Sequence, residues 1–282
     1  MAPDIWFPHL GLEFFNVNRV VVSFFGFSIY WYALFIISGI LAGYATALIE
    51  AKRTGQSKED YSDLLIAGSL SAVVGLRLFY VIFNWENFRD DPIRIITGLR
   101  DGGLAIFGGL IAAVIVVFIL SKRRNLDVWT ILDTCAPSFA LGQVIGRFGN
   151  FFNREAFGTF TDNIFAMRIV LTDAQMVTPD LLAHSVIDRG VEYIQVHPTF
   201  LYESMWNLVV FTFLTLYRPR KKFGGEIFWL YLLSYGFGRF FIEGLRVDQL
   251  LVGTLPVSQV MAALIFVLSV SVMVFKKVKV CR

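Results

Sequence analysis

Apolar residues run for about twenty positions at a time in seven stretches, near 28–49, 62–83, 104–120, 128–150, 198–217, 225–242 and 256–275. A helix rises about 1.5 Å per residue and a bilayer's hydrocarbon core is about 30 Å thick, so each stretch predicts a membrane-crossing helix. The fourth and sixth carry polar residues at their ends, and the third is short and opens in glycines. The one long polar interval, 151–197, exceeds an ordinary connection and mixes aromatic and β-branched residues with Asp, Thr and Gly. It is expected to fold as a small lobe. The fold class expected is an all-α integral membrane protein with seven transmembrane helices and a small extracytoplasmic head lobe. Residues 1–282 then form one membrane-embedded domain, with lobe 151–197 inserted between the fourth and fifth spans. No internal repeat or low-complexity tract is evident.

Composition agrees with this pattern. The 282 residues are 56% hydrophobic and 17% charged, with a mean hydropathy of +0.63. Soluble domains carry nearer a quarter charged residues, so a water-soluble enzyme or a nucleic-acid binder is excluded. The net charge of +3 says less than its distribution. With seven spans, the loops near 50–60, 121–125 and 217–223 share one side with the C-terminal tail, and all eight lysines fall there. Arg53, Arg123, Arg124, Arg218, Arg220 and Arg282 join them. The positive-inside rule then places that side in the cytoplasm and the N-terminus outside. The first twenty residues hold Asp4, Glu13 and Arg19, with no basic start before a short apolar core. No cleavable signal is expected, and the first span should insert and remain.

Four polar groups converge on the outer half of the membrane under this topology. The first is Gly146-Arg147-Phe148-Gly149-Asn150-Phe151-Phe152-Asn153-Arg154-Glu155-Ala156-Phe157-Gly158. Ionisable groups at bilayer depth cost on the order of several kcal/mol each, so such a cluster marks a working site or a buried ion pair that staples helices. Asn150 and Asn153 share a helical face, where amides donate to phosphate or glycerol oxygens or bridge helices. The second group is Tyr235, Arg239, Glu243 and Arg246, whose spacings of four, four and three stack them on one face. Arg239 and Glu243 can neutralise each other there, yet two arginines to one glutamate leave net positive charge. Arg147 and Arg154 against Glu155 repeat the surplus. That balance suits an anionic phosphodiester, whose oxygens match the guanidinium fork.

The third group is His197-Pro198-Thr199-Phe200-Leu201-Tyr202-Glu203, which opens the fifth span. His197 before a proline reads as a helix cap or a ligand contact, and Glu203 lies inside the helix. The fourth is Asp101-Gly102-Gly103-Leu104-Ala105-Ile106-Phe107-Gly108-Gly109, a paired-glycine entry that fits a re-entrant turn. Tyr30, Trp31 and Tyr32 begin the first span as an aromatic belt or a ligand contact. There is no Gly-x-Ser-x-Gly elbow, His-Glu-x-x-His or Gly-x-x-x-x-Gly-Lys, and His9, His184 and His197 are dispersed. Cys135 and Cys281 show neither metal-ligand nor disulfide spacing. No metal and no cofactor are expected.

The Gly146–Gly158 segment resembles the signature of the bacterial prolipoprotein diacylglyceryl transferases, a long pattern filled by polar residues. The resemblance continues through Trp31-Tyr32, the glycines at 102–109, His197-Pro198-Thr199 with Leu201-Tyr202-Glu203, and Tyr235 to Arg246. It implies seven transmembrane helices with a periplasmic head, in the bacterial inner membrane. It also implies transfer of the diacylglyceryl group of phosphatidylglycerol, a membrane lipid, to the lipobox cysteine of prolipoproteins. Arg147 and Arg239 match the family's essential arginines near the lipid head group. Tyr32, Asn150, Gly158, Tyr235, Glu155, Glu243 and Arg246 match other functional positions. Many members carry a histidine, proposed as the base, where this chain has Phe107.

A thioether forms when a thiolate attacks the glycerol carbon and expels a phosphate ester. Arginines aimed at the phosphate stabilise the developing charge, which assigns Arg147 and Arg239 to the clamp. Glu203, Glu155 and Tyr235 are the candidate bases. Catalytic residues are thus expected among Arg147, Arg239, Glu203 and Tyr235. Substrate contacts are expected at Tyr32, Gly108, Gly109, Asn150, Asn153, Arg154, Glu155, Gly158, His197, Glu243 and Arg246. The competing class is a lipid flippase or transporter, which predicts repeat-related broken helices and polar residues through the whole bilayer depth.

Overall fold

The computed structural model describes residues 2–98, 102–103, 105–253 and 255–280. Of the sequence positions singled out above, Asp101, Leu104, Cys281, Arg282 and the Phe107 side chain lie outside the described residues. The chain divides into two compact units, Met1–Thr46 with Cys135–Arg282, and Ala47–Thr134.

The first unit begins with strands β1 (Ile5–Phe7), β2 (Leu12–Phe14), β3 (Val20–Phe24) and β4 (Phe27–Tyr30), followed directly by helix α1 (Trp31–Arg53), which runs on into the second unit. The second unit also holds α2 (Lys58–Phe83), the short α3 (Arg94–Thr97) and α4 (Ile106–Arg123), and ends within α5 (Val128–Gly146). Then follow α6 (Phe148–Asn153), β5 (Met167–Val170), α7 (Pro179–Ala183), β6 (Val186–Asp188) and β7 (Val191–Val196). Helices α8 (Thr199–Tyr217) and α9 (Glu226–Glu243), the hairpin β8 (Leu251–Val252) and β9 (Leu255–Pro256), and α10 (Val257–Val280) complete it.

Five helical stretches among the described residues are long and apolar enough to cross a membrane: Trp31–Arg53, Lys58–Phe83, Val128–Asn153, Thr199–Arg220 and Val257–Val278. The chain is a membrane protein. Helices α4 and α9, of 18 residues each, fall outside that set but occupy the third and sixth apolar stretches of the sequence.

Small residues let these helices approach closely, as expected where packing rather than water drives association. In the first unit, a Cβ on Gly39 of α1 would sit 2.8 Å from the Gly142 carbonyl of α5, and one on Gly43 2.9 Å from that of Ser138. One on Gly236 of α9 would sit 2.7 Å from the Ala262 carbonyl of α10. In the second unit, Gly75 of α2 and Gly108 of α4 abut so tightly that neither has room for a Cβ.

The expectation of an all-α fold is corrected by a five-stranded antiparallel sheet in the order β2-β1-β5-β7-β6. Ile5 pairs with both Phe14 and Ile169, and Ile169 with Ile194. Ile5, Ile169, Ile194 and Val196 are fully buried with Phe157 and Leu181, forming one apolar core. Alternate residues of β5 turn inward, as strand pleating requires. Interval 151–197 does not build this sheet alone. Two of the five strands come from before the first apolar stretch, and at three residues each they are too short to show periodicity.

Candidate active site

Helices α8 and α9 pack side by side in the first unit, with the indole of Trp206 filling the space left by Gly238. Trp206 Nε1 donates to the Ser234 carbonyl at 2.9 Å, which fixes the ring. Helical spacing then stacks Tyr235, Arg239 and Glu243 along α9, facing Glu203 of α8. Arg147 reaches the same carboxylate from the break between α5 and α6.

Glu203 is the hub. It is 4% exposed, receives Arg147 Nη2 at 2.5 Å and Arg239 Nη1 at 2.7 Å, and lies 3.8 Å from Arg246 Nη1. Arg239 Nη2 meets Glu243 at 2.5 Å. Arg246 lies 3.9 Å from Glu243 and grips Asp248 with two donors, at 2.9 and 2.6 Å. Burial works to raise the Asp248 carboxyl, but the Arg246 guanidinium outweighs it and holds the group below its usual range.

The expected positive surplus is therefore corrected. Arg147, Arg239 and Arg246 face Glu203, Glu243 and Asp248, three cations to three anions. In a low-dielectric setting an unmatched guanidinium is costly, and Glu203 and Asp248 supply the missing carboxylates. A cavity of about 10 Å³ opens beside this network, lined by Glu203, Trp206, Asn207, Tyr235, Gly238, Arg239 and Ile242.

The Gly146–Gly158 segment forms α6 and a tight return. Glu155 accepts from Asn150 Nδ2 at 2.8 Å and from Asn153 Nδ2 at 3.1 Å, so both asparagines hold one carboxylate. Tyr32 lies against Gly149, where a Cβ would sit 2.7 Å from its ring. Gly158 donates its N–H to the His197 carbonyl at 2.9 Å and pairs with Arg246 in an isolated bridge. A Cβ there would meet the Leu245 carbonyl at 2.7 Å and His197 Cβ at 2.8 Å, so only glycine fits. Backbone thus ties the Gly158 turn to the residues after α9, where Arg246 sits. His197 Nδ1 lies 3.2 Å from the Tyr202 hydroxyl, and burial pushes its imidazole below the usual histidine range.

A sequence model of the prolipoprotein diacylglyceryl transferase family matches residues 19–275. The chain belongs to this family. It is 41% identical over 262 residues to the phosphatidylglycerol–prolipoprotein diacylglyceryl transferase of Bacillus cereus (strain G9842), covering 93% of each chain. The Enterococcus faecalis protein of the same name is 39% identical over 265 residues, covering 93% of this chain and 91% of the other. That of Halalkalibacterium halodurans is 40% identical over 252 residues, covering 89% and 83%.

Against this family background, Arg154 stands apart from the Glu203 network. It ends α6 in the left-handed conformation (φ 53°), is 6% exposed, and donates to the Val17 carbonyl at 2.5 Å with Asp173 at 3.5 Å. Its guanidinium contacts Val17, after β2, and Asp173, after β5, and is not brought to the Glu203 network that gathers Arg147, Arg239 and Arg246. Gly108 and Gly109 lie in the second unit, where they pack α4 on α2 against Gly75, Phe79 and Leu76. Among the described residues there is no cluster of three or more side chains suited to a metal ion.

Sequence reasoning missed Asn207, which lines the cavity with Glu203, Tyr235 and Arg239. One signal was available. Thr199, Glu203 and Asn207 recur at intervals of four in an otherwise apolar helix, which puts them on one face.

Proposed function

We propose that this chain transfers the diacylglyceryl group of phosphatidylglycerol to the lipobox cysteine thiol of prolipoproteins in the bacterial inner membrane. Family membership supports the reaction class, and the Arg147–Glu203–Arg239 arrangement supports a phosphate-binding centre. The whole chain then works as one membrane-embedded transferase domain. The seven apolar stretches are seven spans, the N-terminus and the sheet lie outside, and the lysine-rich loops face the cytoplasm.

The single observation that carries the site is that two guanidiniums share one buried carboxylate. A phosphodiester presents oxygens that the same two forks accept, so an arriving lipid phosphate displaces Glu203. The displaced carboxylate takes the proton of the lipobox thiol. The sulfur forms a bond to the terminal glycerol carbon of the diacylglyceryl group as the C–O bond to phosphate breaks. The electron pair passes to the phosphate oxygen, and glycerol phosphate leaves. Arg147 and Arg239 stabilise the charge gained there, which favours the transition state over bound substrate.

Tyr235 borders the same cavity as Arg239 and Glu203 and supplies a hydroxyl to the reacting groups. Glu243 and Arg246 hold Arg239 and Glu203 in register, and Glu155, set by Asn150 and Asn153, orients the helix break that carries Arg147. Tyr32, Gly158 and His197 shape the surroundings of that break and the start of α8.

The test is to incubate the purified protein with phosphatidylglycerol and a lipobox peptide and weigh the peptide. A diacylglyceryl mass gain, lost when the cysteine is replaced by serine, is the expected result. Lipid movement across a vesicle membrane without any mass gain would sink the transferase reading and favour the transporter.

A further inference from the structure

Asn207 sits one turn beyond Glu203 on α8 and is 4% exposed. Its Nδ2 donates to the Glu203 carbonyl at 2.8 Å, while its Oδ1 is buried and accepts from no group among the described residues. An unsatisfied buried acceptor costs about as much as a lost hydrogen bond and calls for an explanation. The cavity of about 10 Å³ that Asn207 lines stands at the lower edge of the space that admits one water molecule. Its wall also carries Glu203, Tyr235 and Arg239, enough polar groups for the two to four hydrogen bonds that a buried water makes. A purely local role for the side chain, bonding back to the preceding turn, uses only its amide nitrogen and leaves the oxygen unexplained.

We infer that Asn207 is a positioning residue for the transfer reaction, whose Oδ1 accepts from a water held in this cavity and linked to Glu203, Tyr235 and Arg239. Asn207 touches neither lipid nor thiol. Its amide fixes the main chain at Glu203, and its oxygen anchors the water behind the carboxylate that both arginines share. The assignment rests on the transferase reading above, and wild-type transfer measured alongside reports on that reading separately.

The experiment uses the full chain in phosphatidylglycerol-containing nanodiscs with a lipobox peptide. Asn207→Leu keeps the branched shape at a larger volume and removes both polar atoms, whereas Asn207→Ser keeps an acceptor and leaves room for water. Asn207→Leu is expected to lower kcat at least about tenfold, as loss of a supporting hydrogen-bond partner commonly does. KM for phosphatidylglycerol should stay within about twofold, because Asn207 does not bind the lipid, and the melting temperature should not fall. Asn207→Ser should recover most of the loss. A kcat for Asn207→Leu within twofold of wild type overturns the inference. So does an equal loss in both variants accompanied by a lower melting temperature, which marks a packing role. Should Asn207→Leu fail to fold, a wild-type structure that resolves ordered water decides. Density within hydrogen-bond distance of Asn207 Oδ1 supports the inference, and a dry cavity overturns it.

Discussion

Arg77 and Arg239 are both guanidiniums on long apolar helices, one in each compact unit, yet they are satisfied in different ways. Arg77 is 6% exposed and donates to four main-chain carbonyls: Arg94 at 2.7 Å, Ile95 and Gly102 at 2.9 Å, and Gly103 at 3.1 Å. Phe88 lies 5.2 Å from its guanidinium and adds a cation–π contact. Arg239 instead meets two carboxylates, one of which it shares with Arg147. Carbonyls belong to the chain and cannot leave without unfolding it. A carboxylate on a side chain can be exchanged for another anion. The first arrangement suits a fixture, and the second suits a receptor for phosphate.

Substituting each partner separately tests that contrast. Arg239→Gln should lower transfer at least about a hundredfold, the usual scale for removing one donor aimed at developing charge. A peptide mass assay reads this directly, and near-normal transfer in folded protein would end the phosphate-clamp assignment. Glu203→Gln should lower kcat by about a hundredfold if Glu203 takes the thiol proton, with little change in KM for lipid. A rise in KM with kcat preserved would reassign Glu203 to lipid binding alone. Arg77→Met should act on stability instead. Leaving four main-chain carbonyls of exposed or half-buried residues without their donor should cost about 1–3 kcal/mol, seen as a lower melting temperature than that of wild type.

Arg154→Met sharpens the comparison within the first unit. Loss of the Val17 contact should cost about 1–3 kcal/mol, with transfer by the folded fraction within a few-fold of wild type. The smallest effect is expected at His197. Its folded-state affinity for protons is depressed by burial, so stability is fully present above the unfolded value of about 6.5 and declines as pH falls through it. Melting curves between about pH 7 and 5 should show that slope, and His197→Gln should flatten it.

The parts of this molecule written in local spacing were readable from the sequence. Among the described residues, helices occupy the apolar stretches, five of them long and apolar enough to cross a membrane, with edges such as 198–217 against Thr199–Tyr217 and 225–242 against Glu226–Glu243. The face carrying Tyr235, Arg239 and Glu243 followed from helical periodicity. Features that depend on distant partners were not readable. Glu203 balances Arg147 and Arg239 from another helix, and Asp248 lies two residues past Arg246, just outside the motif, so counting charges motif by motif gave a false surplus. Arg154 adopts a left-handed backbone that a non-glycine residue seldom takes, so its direction could not be foreseen. Asn207 shares a helical face with Thr199 and Glu203, but the cavity it lines depends on side chains from α9.

The pairing of Ile5 with Ile169 joins residues more than 160 positions apart in the chain. During synthesis the first strand emerges early, but its partner is made only after four of the apolar stretches have followed. The N-terminal ribbon must wait, unpaired, through most of translation before its edge is covered. Assembly of the sheet is thus a late checkpoint, and a bulky fusion placed ahead of Ile5 is expected to delay maturation more than one placed after α10.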